Sequence, residues 1–166
     1  MPSVKNNKFI DMKMKNVLLV LFMSLFVSFP LFAQSKTDQL VGNYYVIKQD
    51  TKSESRIQIY KTSEGKYEGK IIWLKYPNRP DGSPKHDDKN PNPELRKVRS
   101  DQIVLLKNFT YDEKNNEWIG GTIYDPEEGK IYKCKLSFES PAKLKVRGYV
   151  GIPAFGKTMY WTKENP

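Results

Sequence analysis

The chain has 166 residues, 38% of them hydrophobic and 28% charged, with a formal net charge of +9. Its single cysteine, Cys134, excludes an internal disulfide, and its single histidine, His86, leaves too few soft ligands for a zinc site. The length suits one domain around one core and falls short of two ordinary ones.

Residues 1–33 have the layout of a secretory signal peptide. Lys5, Lys8, Lys13 and Lys15 make a basic start. Val17 to Phe32 is an uncharged apolar run broken by Ser24, Ser28 and Pro30, and Ala33 is followed by polar Gln34 and Ser35. Cleavage after Ala33 is expected, leaving residues 34–166 as a single β-barrel domain in the periplasm or outside the cell. The same run, at about 17 residues, also reaches the low end of what anchors uncleaved in a bilayer, and Met12 and Met14 offer later starts. No cysteine directly follows the signal, so a lipoprotein anchor is not expected. Without the leader, 24 basic residues face 18 acidic ones, a net charge of +6. In that compartment the acidic partners at hand are anionic lipid, lipopolysaccharide or polysaccharide, and not nucleic acid.

The remainder alternates short β-rich runs with turn signals and shows no sustained helical period. Strands are predicted at 40–49, 56–62 and 67–76, the last two joined by a hairpin turn at 63–66 that closes through Gly65, which tolerates positive φ. A polar stretch, residues 77–100, follows. Strands resume at 101–110 and 117–125, then at 131–138, 143–150 and 156–163, with Pro126 and Gly129 placed where a turn uses them. Eight antiparallel strands in about 130 residues leave no room for crossover helices and imply a small soluble all-β, up-and-down barrel that closes on itself. Lys133 and Lys135, then Lys145 and Arg147, alternate along their strands, which is wrong for the lipid-facing band of a membrane barrel. Gly69, Gly120, Gly121 and Gly148 fall inside strands and mark bends or places where a side chain lies on bare backbone. Cys134 shares a face with Tyr132, Leu136 and Phe138, the pattern of a small buried hydrophobe and not of a nucleophile.

Irregular connections longer than about 12–15 residues are uncommon in compact domains and tend to be functional or disordered. The loop at 77–100 is therefore the first place to look. His86, Asp87, Asp88 and Asn90, with Asp81 nearby, lack the spacing of an EF-hand, so no metal is expected there. No phosphate-cradling glycine loop, G-x-S-x-G or H-E-x-x-H occurs, and no cofactor is implied.

An eight-stranded barrel is just wide enough to be filled by its own side chains or to hold one small ligand. Sixteen aromatics lie beyond the leader. Trp73, Trp118, Tyr124, Tyr160 and Trp161, with Tyr67, are placed near the interior or its mouth, as ligand walls or as plain core. A hydrolytic alternative would pair Asp88 with Asp125 and use Arg147 or Tyr149 to hold substrate. Asp125 also reads as a turn opener and Arg147 as an outward or barrel-end charge that packs its stem over an aromatic.

The runs "DDKNPNPELR", "EWIGGTIYDPEEGKIYKCKL", "LKVRGYVG" and "FGKTMYWTK", together with Gly42-x-Tyr44, resemble the exported bacterial proteins grouped as domain of unknown function family 2147. The resemblance covers essentially the whole chain after the leader, with Tyr44 where relatives carry Trp. It implies a lipocalin-like barrel and no agreed activity. Its loop motif falls on Asp88, Asn90 and Arg96, which implies an ordered segment over one barrel end, either a structural clasp or a binding lid. The functions in view are then a barrel binding a small apolar or amphipathic molecule, an envelope protein docking a polyanion or protein partner, and, least favoured, a hydrolase.

Overall fold

The structure, a computed structural model, describes residues 36–164. The signal-peptide reading of residues 1–33 lies outside the described residues. Eight strands run in chain order around a closed antiparallel barrel: β1 Gly42–Ile47, β2 Glu54–Lys61, β3 Tyr67–Leu74, β4 Val104–Asp112, β5 Glu117–Asp125, β6 Lys130–Ser140, β7 Lys143–Tyr149 and β8 Lys157–Lys163. β1 completes the ring by pairing with β8 through Tyr44 opposite Lys163 and Tyr45 opposite Thr162. Every sequence-predicted strand is present. The first and third are shorter than expected, and the fourth starts at Val104 because Ser100–Gln102 forms a 3-10 turn.

Alternation explains most of the interior. Ile57 and Ile59 on β2, Cys134 and Leu136 on β6, and Leu144 and Val146 on β7 are buried, with Gln58, Lys135 and Lys145 between them on the other face. Each side chain of this size contributes about 1.5–3 kcal/mol when fully buried. The period breaks at bulges. On β4, Asn108 takes φ 63° and Lys107 and Asn108 both face solvent between buried Leu106 and Phe109.

Inside strands, Gly69, Gly121 and Gly148 serve close approach, whereas Gly120 takes φ 77° at an irregularity in the β5–β6 pairing. A Cβ on Gly121 would lie 2.4 Å from Phe109 Cδ2 and 2.6 Å from the Lys107 carbonyl oxygen, so the Phe109 ring rests on bare backbone there.

The two ends of the barrel differ. One end is closed by the 3-10 turn Lys36–Leu40 and three short hairpin turns. Tyr44 donates to the Leu40 carbonyl at 2.7 Å, Trp118 donates to the Thr37 carbonyl at 3.2 Å, and Tyr67 donates to Asp38 at 2.7 Å. Trp118 meets Tyr111, Phe138 and Tyr67 with ring centroids 5.0, 5.8 and 6.4 Å away, a solid aromatic plug. Lys163 caps it, donating to the Gln39 carbonyl with its ammonium 5.9 Å from the Tyr44 ring. The four longer connections, residues 48–53, 75–103, 126–129 and 150–156, all lie at the other end and form its mouth.

The thiol of Cys134 sits in the wall of this packed interior, and burial pushes it up to about 12. It is therefore expected to resist alkylation at pH 8 in the native protein and to react fully in denaturant, as read by mass. Fast native labelling would contradict its placement. The linkage sign follows: the unfolded thiol ionises near its ordinary 9.0 while the folded one stays protonated, so this group costs stability as pH rises from about 9 toward 12.

Candidate functional site

The mouth opens into a cavity of about 700 Å³. Val46, Ile57, Ile71, Leu105, Ile123 and Met159 supply its apolar walls, and Trp161 lies at its deep end, 6.3 Å by ring centroids from Tyr44 of the packed half. The indole N–H of Trp161 is buried and meets no acceptor among the described residues. The rim is polar. Lys48, Asp50, Glu54, Arg79, Lys85, His86, Asp88, Asp125, Glu127, Glu128 and Lys157 all border the opening.

The rim charges are paired. Asp50 meets Lys157 at 3.0 Å, Asp88 meets Arg79 at 2.6 Å, Glu128 meets Lys130 at 3.3 Å, and Glu54 holds both Lys75 and the Tyr45 hydroxyl. Lys48 reaches Glu127 at 2.7 Å and Asp125 at 3.4 Å. Burial alone would lower its ammonium, but these two carboxylates outweigh that and hold it above its ordinary value. Exposed pairs of this kind contribute about 0–1 kcal/mol each, so they order the rim more than they stabilise the fold. Lys85 is the lining cation held by a carbonyl instead of a carboxylate, donating to Tyr76 O at 2.9 Å.

The long connection is ordered by its own hydrogen bonds. Residues 85–87 run antiparallel to 98–100, with Asp87 N donating to Val98 O and Ser100 N to Lys85 O. Asn92 caps the 3-10 turn Pro93–Lys97 by accepting from Glu94 N at 3.0 Å. Arg96 donates to the Asn90 carbonyl at 2.8 Å, and Asn90 Oδ1 accepts from Asn92 N at 2.9 Å.

The tie to the barrel is made by Asp87, a residue that sequence reasoning considered only as a metal ligand. It is 2% exposed, while its neighbour Asp88 has a side chain 64% exposed. One Asp87 oxygen accepts from the Tyr124 hydroxyl and the other from Asn90 Nδ2, both at 2.6 Å. Burial first, and the adjacent Asp87 second, push the Tyr124 phenol well above its ordinary value. Beside this contact Lys89 donates to the Glu127 carbonyl at 2.6 Å. Its own carbonyl lies 2.2 Å from where a Cβ on Gly129 would sit, so only glycine lets the loop seat on the β5–β6 turn. The loop is thus fastened to β5 through Asp87 and Tyr124 and to the β5–β6 turn through Lys89, and the segment is a clasp on one side of the mouth.

The remaining sequence-predicted residues distribute as follows. Tyr124 and Trp161 line the cavity, whereas Trp118 belongs to the plug at the opposite end. Trp73 and Tyr160, expected near the interior or its mouth, are exposed on the outer wall. An extra residue on β3, Ile72, opposite the Arg56–Ile57 step of β2 shifts the register, so Ile71 and Leu74 turn inward while Ile72 and Trp73 turn out, with the Arg56 guanidinium 5.3 Å over the Trp73 ring. Tyr160 adjoins inward Trp161 and must therefore face outward, where the Lys143 ammonium stands 4.3 Å from its ring.

Asp88 and Asp125 both border the cavity, but each is engaged, the first by Arg79 and the second by Lys48 and the Glu127 N–H. Tyr149 lines the rim. Arg147 does not line the cavity; it donates to the carbonyls of Pro153 and Ala154 and to Thr158 Oγ1. No group of three or more His, Cys, Asp or Glu side chains suited to a metal occurs among the described residues.

Comparison with known proteins agrees with this geometry. No curated protein matches the chain. Among solved structures it is similar to a Helicobacter pylori protein described as "Protein HP1028 from the human pathogen Helicobacter pylori belongs to the lipocalin family", with 29% sequence identity and a TM-score of 0.62 over 76% of this chain and 83% of that one. Residues 42–163, the whole barrel from β1 to β8, match the family described as "Uncharacterized protein conserved in bacteria (DUF2147)". The chain belongs to that family, and its barrel is lipocalin-like.

Proposed function

We propose that this protein is exported, loses residues 1–33, and binds one small amphipathic molecule inside its barrel. The observation that carries this reading is the cavity of about 700 Å³, apolar in its depth and polar at its rim. Binding sites for small molecules fall at about 300–1,000 Å³ and combine apolar walls with a few placed polar groups. A barrel that used its interior only as a core would fill this half as it fills the other, where Trp118, Phe109 and Leu136 leave no room. The apolar part of the ligand lies against Ile57, Ile71 and Met159, and its polar end stays among the rim pairs, near Lys85 and Tyr149. The hydrolytic alternative has no support of this kind, because the two carboxylates it needs are committed to cations.

Titration with a fluorescent amphiphile tests the proposal. The wild-type domain should bind one equivalent, and Met159→Trp, which places an indole in the cavity, should weaken binding about tenfold or more at unchanged fold. A misfit group in a packed pocket costs about 1–3 kcal/mol. Equal affinity in the two proteins would place the probe outside the barrel and remove the reading.

A further inference from the structure

The connection between β7 and β8 carries apolar side chains into solvent. Val150 is 72%, Ile152 55% and Phe155 82% exposed. Such a cluster in one short loop is costly in water and marks an interaction site. The loop is also built to hold it out. The Arg147 guanidinium braces it from the strand below by donating to the Pro153 carbonyl at 2.7 Å and the Ala154 carbonyl at 3.0 Å, and Gly156 packs with no space for a side chain against the Gly148 carbonyl.

Charge indicates the partner. From Ser140 to Lys163 the hairpin contains no Asp or Glu and carries Lys143, Lys145, Arg147, Lys157 and Lys163. Screening confines the relevant charges to about 10 Å, roughly three strand residues behind the tip. Arg147 and exposed Lys133, which pairs across from Tyr149, fall within it with no carboxylate partner among the described residues, whereas exposed Lys157 is matched there by Asp50 at 3.0 Å. An apolar tip backed by cations is the arrangement that settles into an anionic lipid surface, with the apolar groups below the headgroups and the cations among them. A protein partner would ask for a broader surface with matched polar groups.

We infer that the β7–β8 tip docks this protein on an anionic lipid bilayer. Val150, Phe155 and Lys157 also border the cavity, so docking brings the mouth against the membrane and lets an amphipathic molecule pass between bilayer and barrel without crossing water. The docking itself does not depend on the cavity being occupied.

Sedimentation with vesicles of phosphatidylcholine alone and of phosphatidylcholine with phosphatidylglycerol tests this. The domain should bind the anionic vesicles more strongly, less so at high salt. Ile152→Ser combined with Phe155→Ser should lower that binding at least tenfold at an unchanged melting temperature. Because Phe155 borders the cavity, Ile152→Asp, at an exposed residue outside the cavity lining, separates the two sites: it should weaken vesicle binding and keep the wild-type amphiphile titration. Binding that is indifferent to phosphatidylglycerol or to the serines would overturn the inference. So would light scattering that shows the tip consumed in a dimer which the serines dissolve.

Discussion

Gly121→Ala should destabilise the barrel by about 3 kcal/mol or more, at the upper end of what overpacking costs. The added Cβ would stand 2.4 Å from the Phe109 ring and 2.6 Å from the Lys107 carbonyl, and neither can step aside easily. Phe109 is fully buried, and the Lys107 carbonyl belongs to the strand that pairs with β5. A loss of this size lowers the melting temperature of a domain this long by about 10 °C. Gly148→Ala supplies the internal comparison. Its Cβ would come no nearer than 3.3 Å, to the Ile123 Cγ2 methyl, and a smaller loss is expected. A Gly121→Ala melt within 2 °C of wild type would mean that β4 and β5 are not packed as described.

The second large effect belongs to the clasp. Asp87→Ala strands the Tyr124 hydroxyl and the Asn90 amide, both buried, and hydrogen bonds to a charged partner contribute about 1.5–3 kcal/mol each. Because the loop rests on the barrel through few contacts, that loss should appear first as local opening. Amide exchange across residues 77–100 should accelerate about tenfold or more, while β6 and β7 exchange nearly as before. Asp87→Asn should fall between, since its oxygen can accept from the Asn90 amide and its NH2 can donate to the Tyr124 hydroxyl, but without the charge that strengthens both bonds. Asp88→Ala, which removes only an exposed pair with Arg79, should change stability by less than about 1 kcal/mol. Equal effects at Asp87 and Asp88 would contradict the assignment of the clasp to Asp87.

These two cases also show what the sequence could and could not reveal. The strands were legible because Ile57-Gln-Ile59 and Cys134-Lys-Leu136 alternate with period two and because turn residues punctuate them. The in-strand glycines were legible as bends or places of close approach, and Gly120 is an example of the first and Gly121 of the second. The position of Trp73 was not, since a bulge at Ile72 of β3 reverses the faces of Trp73 and Leu74, and nothing in "KIIWL" announces the extra residue. The loop was legible as ordered and as part of one barrel end, through Asn90, Arg96 and the prolines. Which member of the Asp87-Asp88 doublet is buried depended on Tyr124, 37 residues away, and a single sequence carries no sign of that pairing. Arg147 was read as an outward or barrel-end charge, and it does stand toward the mouth end of β7. Its grip on the Pro153 and Ala154 carbonyls, and so the rigidity of the apolar tip, appears only once β7 and β8 are paired.

The central claim is that the open half of the barrel holds a small amphipathic molecule. Native mass spectrometry of the domain purified from its own host, before and after organic extraction, tests it most directly. A discrete additional mass that extraction releases, and that Met159→Trp reduces, is the expected result. A protein of bare polypeptide mass before extraction, which also takes up no amphiphile when one is supplied, would contradict it.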